Sequence, residues 1–287
     1  MQATFTTECI QATLTYPFKD PEGVKKLLVG SLLMLIGMFF PPAMILMYGY
    51  AAQAMRRIII KGDAPSLPTW DAWDRLLRDG LKLFGAALLY TGPAWGIFLI
   101  SMVIPIPCVI LQILATEDMP WLNLLTLLSV VTQILGFIIG PALASLAGLF
   151  LAPAQCHIIA TGRFAAAFEV KGWWPILKAA LADFGIAYLL IAVMSVFVVI
   201  VTQILTITMI FCFLWPFLIA PLNTYRMVIG QTLIAQAYRA GVESKTGGAP
   251  TLRANRINRN TGAGIAVTEG GQGTFKENDL RDNGKGA

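Results

Sequence analysis

The sequence predicts an all-α polytopic membrane protein with about six transmembrane helices, amphipathic interfacial helices, and a short C-terminal tail that is β-helix-like or disordered. Three observations carry that prediction. Of 287 residues, 56% are hydrophobic and only 13% are charged, against about 25% charged in soluble domains. The mean hydropathy is +0.69. All 21 Lys and Arg residues fall in four stations, 19–26, 56–82, 163–178 and from 226 onward, and apolar runs separate them. A helical crossing needs about 20 apolar residues. The short alternating segments of an outer-membrane barrel are missing.

In chain order, the first 24 residues are polar and mixed, with no pattern of a cleavable secretory signal. Residues 26–40 and 43–60 are apolar, separated by Pro41–Pro42, which removes two backbone donors and forces a tight turn or kink. They read as two short crossings or as one re-entrant hairpin. The next apolar run, 81–104, ends at Pro105 and Pro107, just before Glu117 and Asp118. Residues 121–161 form a run too long for one straight crossing, with Pro141 and Pro153 inside it. It reads as one broken helix, which makes six crossings, or as a hairpin, which makes seven. Residues 184–225 carry no charge and suit two crossings, 180–201 and 204–225, with a turn near Thr202–Gln203. The positive-inside rule puts the basic stations, and both termini, on the cytoplasmic side of a bacterial or archaeal plasma membrane.

One stretch organises the chain, Ser66 to Phe84. At helical spacing Trp70, Trp73, Leu77, Leu81 and Phe84 make an apolar stripe. Asp71, Asp74, Arg75, Arg78 and Lys82 face the other way, with Asp71–Arg75 and Asp74–Arg78 at the supportive four-residue spacing. Indoles beside long basic side chains suit the headgroup boundary. This reads as an interfacial helix feeding a crossing, with a soluble amphipathic helix as the plainer alternative. A second aromatic station sits at Trp173 and Trp174. Trp70, Trp73, Arg75, Arg78, Trp173 and Trp174 are therefore the candidate interface and assembly residues. LIGMFFPPAMIL (35–46) and ILGFIIGPALAS (134–145) also echo each other, each followed by one of these Trp stations. That pattern suggests internal duplication, which in transporters places sites at the repeat interface. Shared membrane composition is the alternative.

These segments carry a resemblance. TYPFKDPEG, YGYAAQAMRRIIIKGD, SLPTWDAWDRLLRDGLKL and GRFAAAFEVKGWWPILKAAL resemble the bacterial and archaeal membrane family called domain of unknown function 4013. Its Leu-Pro-x-Trp-Asp-x-Trp stretch ending in Asp-Gly-Leu-Lys is matched by Leu67, Pro68, Trp70, Asp71, Trp73, Asp79, Gly80, Leu81 and Lys82. The resemblance covers about residues 10–240 and implies a polytopic membrane protein, with no activity attached.

The helical membrane domain is expected over 1–240. From 241 to 287 the chain turns to Gly, Asn, Thr and charge, as in disordered tails. Yet LRANRINRN (252–260) aligns with FKENDLRDN (275–283) at a period of 23, and Gly264–Val267 supplies a further short strand. Such spacing resembles right-handed parallel β-helix repeats. About one and a half coils are present where roughly three are needed, so a coil would have to be completed by more of the chain or by a partner.

Chemistry is sparse. Cys9, Cys108, Cys156 and Cys212 are scattered, and His157 has no second ligand at metal spacing, so neither disulfide frame nor metal site is indicated. Gly247–Gly248 and Gly270–Gly271 are turns without a phosphate-loop signature. The acids of the Trp–Asp stretch read as a solvated face. No ionisable residue falls deep in an expected crossing, where carriers place them; the polar ones there are Gln112, Gln133, Gln203 and Asn123. No catalytic residue, cofactor, metal or nucleic acid is expected. Two functions follow: a non-catalytic membrane scaffold or anchor that holds protein partners against the bilayer, or a transporter or lipid-handling protein with a cavity between the two weak repeats. A polar-lined cavity among the helices favours the second.

Overall fold

The computed structural model describes residues 5–114, 120–207, 214–245, 251–253 and 274–276. Helix α1 (Thr7–Lys19) is capped by the Thr6 hydroxyl, which accepts from the Cys9 N–H. The sequence offered no helix here. It forms because a polar amphipathic segment lies on a later helix. Helices α2 (Gly23–Phe39) and α3 (Ala43–Arg56) pack on each other on either side of the Pro41–Pro42 turn. A π-helical turn, Arg57–Lys61, extends α3 and ends on Gly62 at φ 75°, a left-handed position that suits glycine.

Helix α4 runs unbroken from Trp73 to Val103. Pro105 then opens α5 (Pro105–Leu114) after a bend at Ile104, where proline is tolerated as the first residue of a new helix. Helix α6 (Pro120–Thr161) is one continuous helix through Pro141 and Pro153, not a hairpin. A 3-10 turn (Phe164–Phe168), α7 (Val170–Ala179), α8 (Leu181–Ile207) and α9 (Trp215–Lys245) follow. The most extensive helix pair is α4 with α6. Helix α9 is the hub, touching α1, α2, α3, α6, α7 and α8.

Among the described residues three stretches are long and apolar enough to cross a membrane: Trp73–Leu114 and Pro120–Thr161, each 42 residues, and the 27-residue Leu181–Ile207. At 1.5 Å per residue a 42-residue stretch reaches about 60 Å, twice the hydrocarbon thickness. Their outer surfaces are continuous hydrocarbon, with Leu99, Ile113, Leu127, Ile138, Val193 and Val199 all exposed. The expectation of six crossings is not confirmed. Helices α2 and α3, of 17 and 14 residues, are the short halves of a helical hairpin. The turn expected at Thr202–Gln203 is absent: Thr202 donates to the Val198 carbonyl, 2.7 Å, inside α8. The expected crossing 204–225 does not fall within one described helix. Helix α8 ends at Ile207, α9 starts at Trp215, and α9 carries Arg226 and Arg239. The loop at Glu117 and Asp118 lies outside the described residues.

The internal duplication fails on structure. Pro41–Pro42 of the first echo makes a turn, whereas Pro141 of the second sits inside α6. In the tail, β1 (Thr251–Arg253) pairs in parallel with β2 (Thr274–Lys276), Leu252 opposite Phe275. The register has the 23-residue offset of the sequence repeat, but a single three-residue ladder is not a coil, and the β-helix expectation is not supported. Gly264–Val267 lies outside the described residues.

Candidate functional site

The Trp–Asp stretch is a loop followed by a helix start, not one interfacial helix. Residues 63–72 form neither helix nor strand, with Leu67 and Pro68 buried. Tyr50 donates its hydroxyl to the Pro68 carbonyl at 3.1 Å, and Arg57 donates to the Ser66 hydroxyl at 2.9 Å. Trp70 stacks face to face on Tyr50, ring centroids 4.0 Å apart and planes 8° apart, and gives its indole N–H to the Lys26 carbonyl. Trp73 is only the first residue of α4 and is 48% exposed. The expected apolar stripe is inverted: Trp73, Leu77 and Leu81 face outward, while Leu76, Asp79, Gly80 and Leu83 are buried. A wholly apolar helix in hydrocarbon gains nothing from turning its greasy face inward, so small and polar groups take the packed side. Trp70→Ala is therefore expected to lower the melting temperature of the purified protein far more than Trp73→Ala. A differential scanning measurement on the two variants checks the ordering.

The packed side of α4 meets α3 at two glycines. A Cβ on Gly80 would lie 1.9 Å from the Ile45 carbonyl oxygen, and one on Gly49 would lie 1.9 Å from that of Leu76. The backbones touch. One turn away, Arg56 Nη2 stands 2.8 Å from Asp79 Oδ2, with the carboxylate almost fully buried. The contact is an ion pair, and the neighbouring Arg56 Nε is buried without an acceptor. Asp71, by contrast, is exposed ahead of the helix, and the Thr69 hydroxyl that donates to it holds its carboxyl below the usual range. Asp20 is likewise lowered, chiefly by its hydrogen bond from Lys26 at 2.7 Å. Arg75 and Arg78 are exposed.

The second Trp station is different again. Trp173 is buried, donating its indole N–H to the Ala167 carbonyl at 3.0 Å. Trp174 is about one-third exposed, with Lys178 5.3 Å over its ring. The two Trp stations do not touch each other, yet the basic stations do converge. Lys82 donates to the Gly162 carbonyl at 2.8 Å, Arg239 packs against Gly62, and Gly241 lies on Ile176. His157 is hydrogen bonded to the Tyr238 hydroxyl at 2.7 Å and lies against Gly172.

A cavity of about 940 Å³ lies among α2, α3, α6, α8 and α9. Its walls are mostly apolar and rich in methionine (Met34, Met38, Met44, Met227), a side chain that adapts to irregular shapes. Helices α6 and α8 lean on α9 more than on each other. Leu149 of α6 and Val196 of α8 line the cavity and are exposed, so the lining reaches the outer surface on this side, where the Tyr188 hydroxyl of α8 donates to the Leu149 carbonyl of α6. Set into this wall are Gln155, Ser195, Asn223, Arg226 and Gln231.

Residues 29–213 match the family described as protein of unknown function, DUF4013. The chain belongs to that family. No curated protein and no solved structure matches it. The DUF4013 match is narrower than the 10–240 that the motifs suggested. It takes in most of α2 and α3 through α8, including the Trp–Asp stretch, and excludes α1 and α9. The cavity is thus built jointly: the DUF4013 span supplies four walls, and α9 supplies the fifth with its polar groups.

Sequence reasoning missed two features of this DUF4013 protein. Asp79 was read as part of a solvated face and is instead buried on Arg56. Arg226 was read as the first residue of a cytoplasmic station. It sits inside α9, hydrogen bonded to Ser195 and Asn223. The signal available for Arg226 was its place within one helical span of the apolar run 215–222, with no acid nearby in sequence.

Proposed function

We propose that this chain is a non-catalytic lipid-handling membrane protein that takes an amphiphilic molecule from the bilayer into the cavity among α2, α3, α6, α8 and α9. What supports the reading is that cavity: about 940 Å³, near the top of the roughly 300–1,000 Å³ typical of small-molecule sites, with a mostly apolar lining and a few polar groups. A pure anchor has no need of it, because packed helices leave few voids larger than a water molecule. A lining that reaches the exposed hydrocarbon surface suits a ligand that arrives from lipid rather than from water. On this reading the four converging basic stations orient the bundle, with that end cytoplasmic by charge, and the Trp–Asp loop seals it.

The test is occupancy. Gly148 lines the cavity and has nothing within 4 Å of where a Cβ would stand, so Gly148→Phe fills space without striking backbone. The purified wild type is expected to retain specific lipid through detergent exchange, detected by native mass spectrometry, and the Gly148→Phe protein to lose it at unchanged melting temperature. Wild type that carries only exchangeable detergent and co-purifying protein subunits would return the function to a scaffold.

A further inference from the structure

Resting on the cavity reading above, we infer that the site is selective for an anionic phospholipid and that Arg226 holds the headgroup phosphate. Arg226 is the only cation lining the cavity, and among the described residues its partners are neutral. Nη1 donates to the Ser195 hydroxyl and Nη2 to the Asn223 side-chain oxygen, both at 3.1 Å, while Nε is buried with no acceptor. The ion pairs formed among the described residues are Lys25–Glu22, Lys26–Asp20, Arg56–Asp79, Arg163–Glu169 and Arg239–Glu243. Every other Arg or Lys drawn inside the bundle has a carboxylate or carbonyl to answer it; Arg226 has two dipoles and an idle donor.

A guanidinium in an apolar wall without a counter-ion is costly, and such residues mark ligand or ion sites far more often than structural ones. The missing charge is an anion. Guanidinium geometry selects phosphate or carboxylate, which it grips with parallel donors. The surroundings then choose between a free anion and a lipid. A free phosphate would be stripped of water on all sides by methionines and aliphatic chains. A phospholipid instead places its phosphate at Arg226 and its chains along Met34, Met44 and Met227. Gln231, five residues along α9 and on the same wall, has a buried side-chain oxygen without a donor. Its amide nitrogen donates to the Gln155 side-chain oxygen, which ties two polar residues of the lining together.

The experiment uses the full chain in mild detergent and a pyrene-labelled phosphatidylglycerol, displaced in turn by unlabelled phosphatidylglycerol, phosphatidylcholine and inorganic phosphate. The expected result is displacement by phosphatidylglycerol at about tenfold lower concentration than by phosphatidylcholine, and none by phosphate. Arg226→Gln should bring the two lipids together by weakening phosphatidylglycerol, whose net charge is uncompensated, more than phosphatidylcholine, and Arg226→Lys should fall between. Equal competition by the two lipids on wild type would overturn the inference, as would a preference that survives Arg226→Gln. Displacement by inorganic phosphate as effective as by phosphatidylglycerol would also overturn it, because the site would then be one for a free anion. Should Arg226→Gln fail to fold, the wild-type preference and the Arg226→Lys shift still decide. Gly148→Phe separates the two levels: lipid binding unaffected by it removes the cavity reading itself, whereas binding lost on Gly148→Phe without lipid preference removes only the role of charge.

Discussion

Asp79→Ala is expected to destabilise the folded protein by about 3–5 kcal/mol, the range for removing one partner of a buried ion pair. The carboxylate side chain is 6% exposed and Arg56 is 29% exposed, so the loss leaves a guanidinium facing the α3–α4 seam with nothing to neutralise it. The buried Gln53 amide nitrogen, which has no acceptor, does not substitute for an anion. Removing both charges is expected to cost much less, since a well-packed apolar pair often replaces a buried ion pair at little or no penalty. A double-mutant cycle on Asp79→Leu and Arg56→Met, read by thermal unfolding in detergent, checks this through its coupling energy. Asp71→Asn and Asp74→Asn, exposed on the same stretch, should do little. If all three acids behave alike, the buried pair is not what holds α3 to α4.

Gly80→Val is expected to prevent assembly of the bundle outright, and Gly49→Val to do the same. Overpacking a core usually costs about 1–3 kcal/mol because side chains shift aside. Here the obstacle is backbone. The added carbon would stand 1.9 Å from the Ile45 carbonyl oxygen in one case and 1.9 Å from that of Leu76 in the other. Neither oxygen can move without carrying its helix away. Close approach of small residues is also a main source of helix attraction in lipid, so separating α3 from α4 removes the attraction as well as creating the clash. Gly96→Ala and Gly185→Ala, where nothing lies within 4 Å, are the controls and should hold or slightly raise stability through helix propensity. Size-exclusion profiles of the four variants, expressed alike, give the comparison.

What was legible in the sequence was what hydrophobicity alone decides. The helical class, the boundaries near Pro41, Pro105 and Gly162, and the stretches within α4, α6 and α8 follow from apolar length and backbone chemistry. The face of each helix did not follow. In water an amphipathic stripe turns inward, but in hydrocarbon both faces of Leu77 and Leu83 are equally content, so the stripe through Trp73 and Leu77 gave the wrong side. The glycines were better guides than the leucines: Gly49 and Gly80 mark the seam, and the buried Asp79 adjoins one of them. Counting charges by station placed Arg226 outside, because a station tally treats a cation next to an apolar run as its end. Its position within the 31-residue α9 depended on where the 184–225 run would break. The candidate residues divide on the same line. Trp70 is half-buried and Trp173 buried, each held by aromatic and carbonyl partners, whereas Trp73, Arg75 and Arg78 lie on the surface.

The central position of α9 has a consequence for biosynthesis. Thr13 is hydrogen bonded to Gln236, 223 residues later, and the Tyr225 hydroxyl to the Leu14 carbonyl, 211 residues apart. At a translation rate of about 5–20 residues per second, α1 emerges roughly 10–40 s before the helix it rests on exists. During that interval α2, α3, α6 and α8 are made with their inner faces waiting for the same late arrival. Such long-range closure is slow to nucleate, and a nascent chain held in this half-built state exposes polar groups such as Gln155 and Tyr16 inside the bilayer or at its edge. Helix α9 therefore acts as a completion signal: a ribosome that stalls before it leaves a product with its seams open, recognisable to membrane proteases as unfinished.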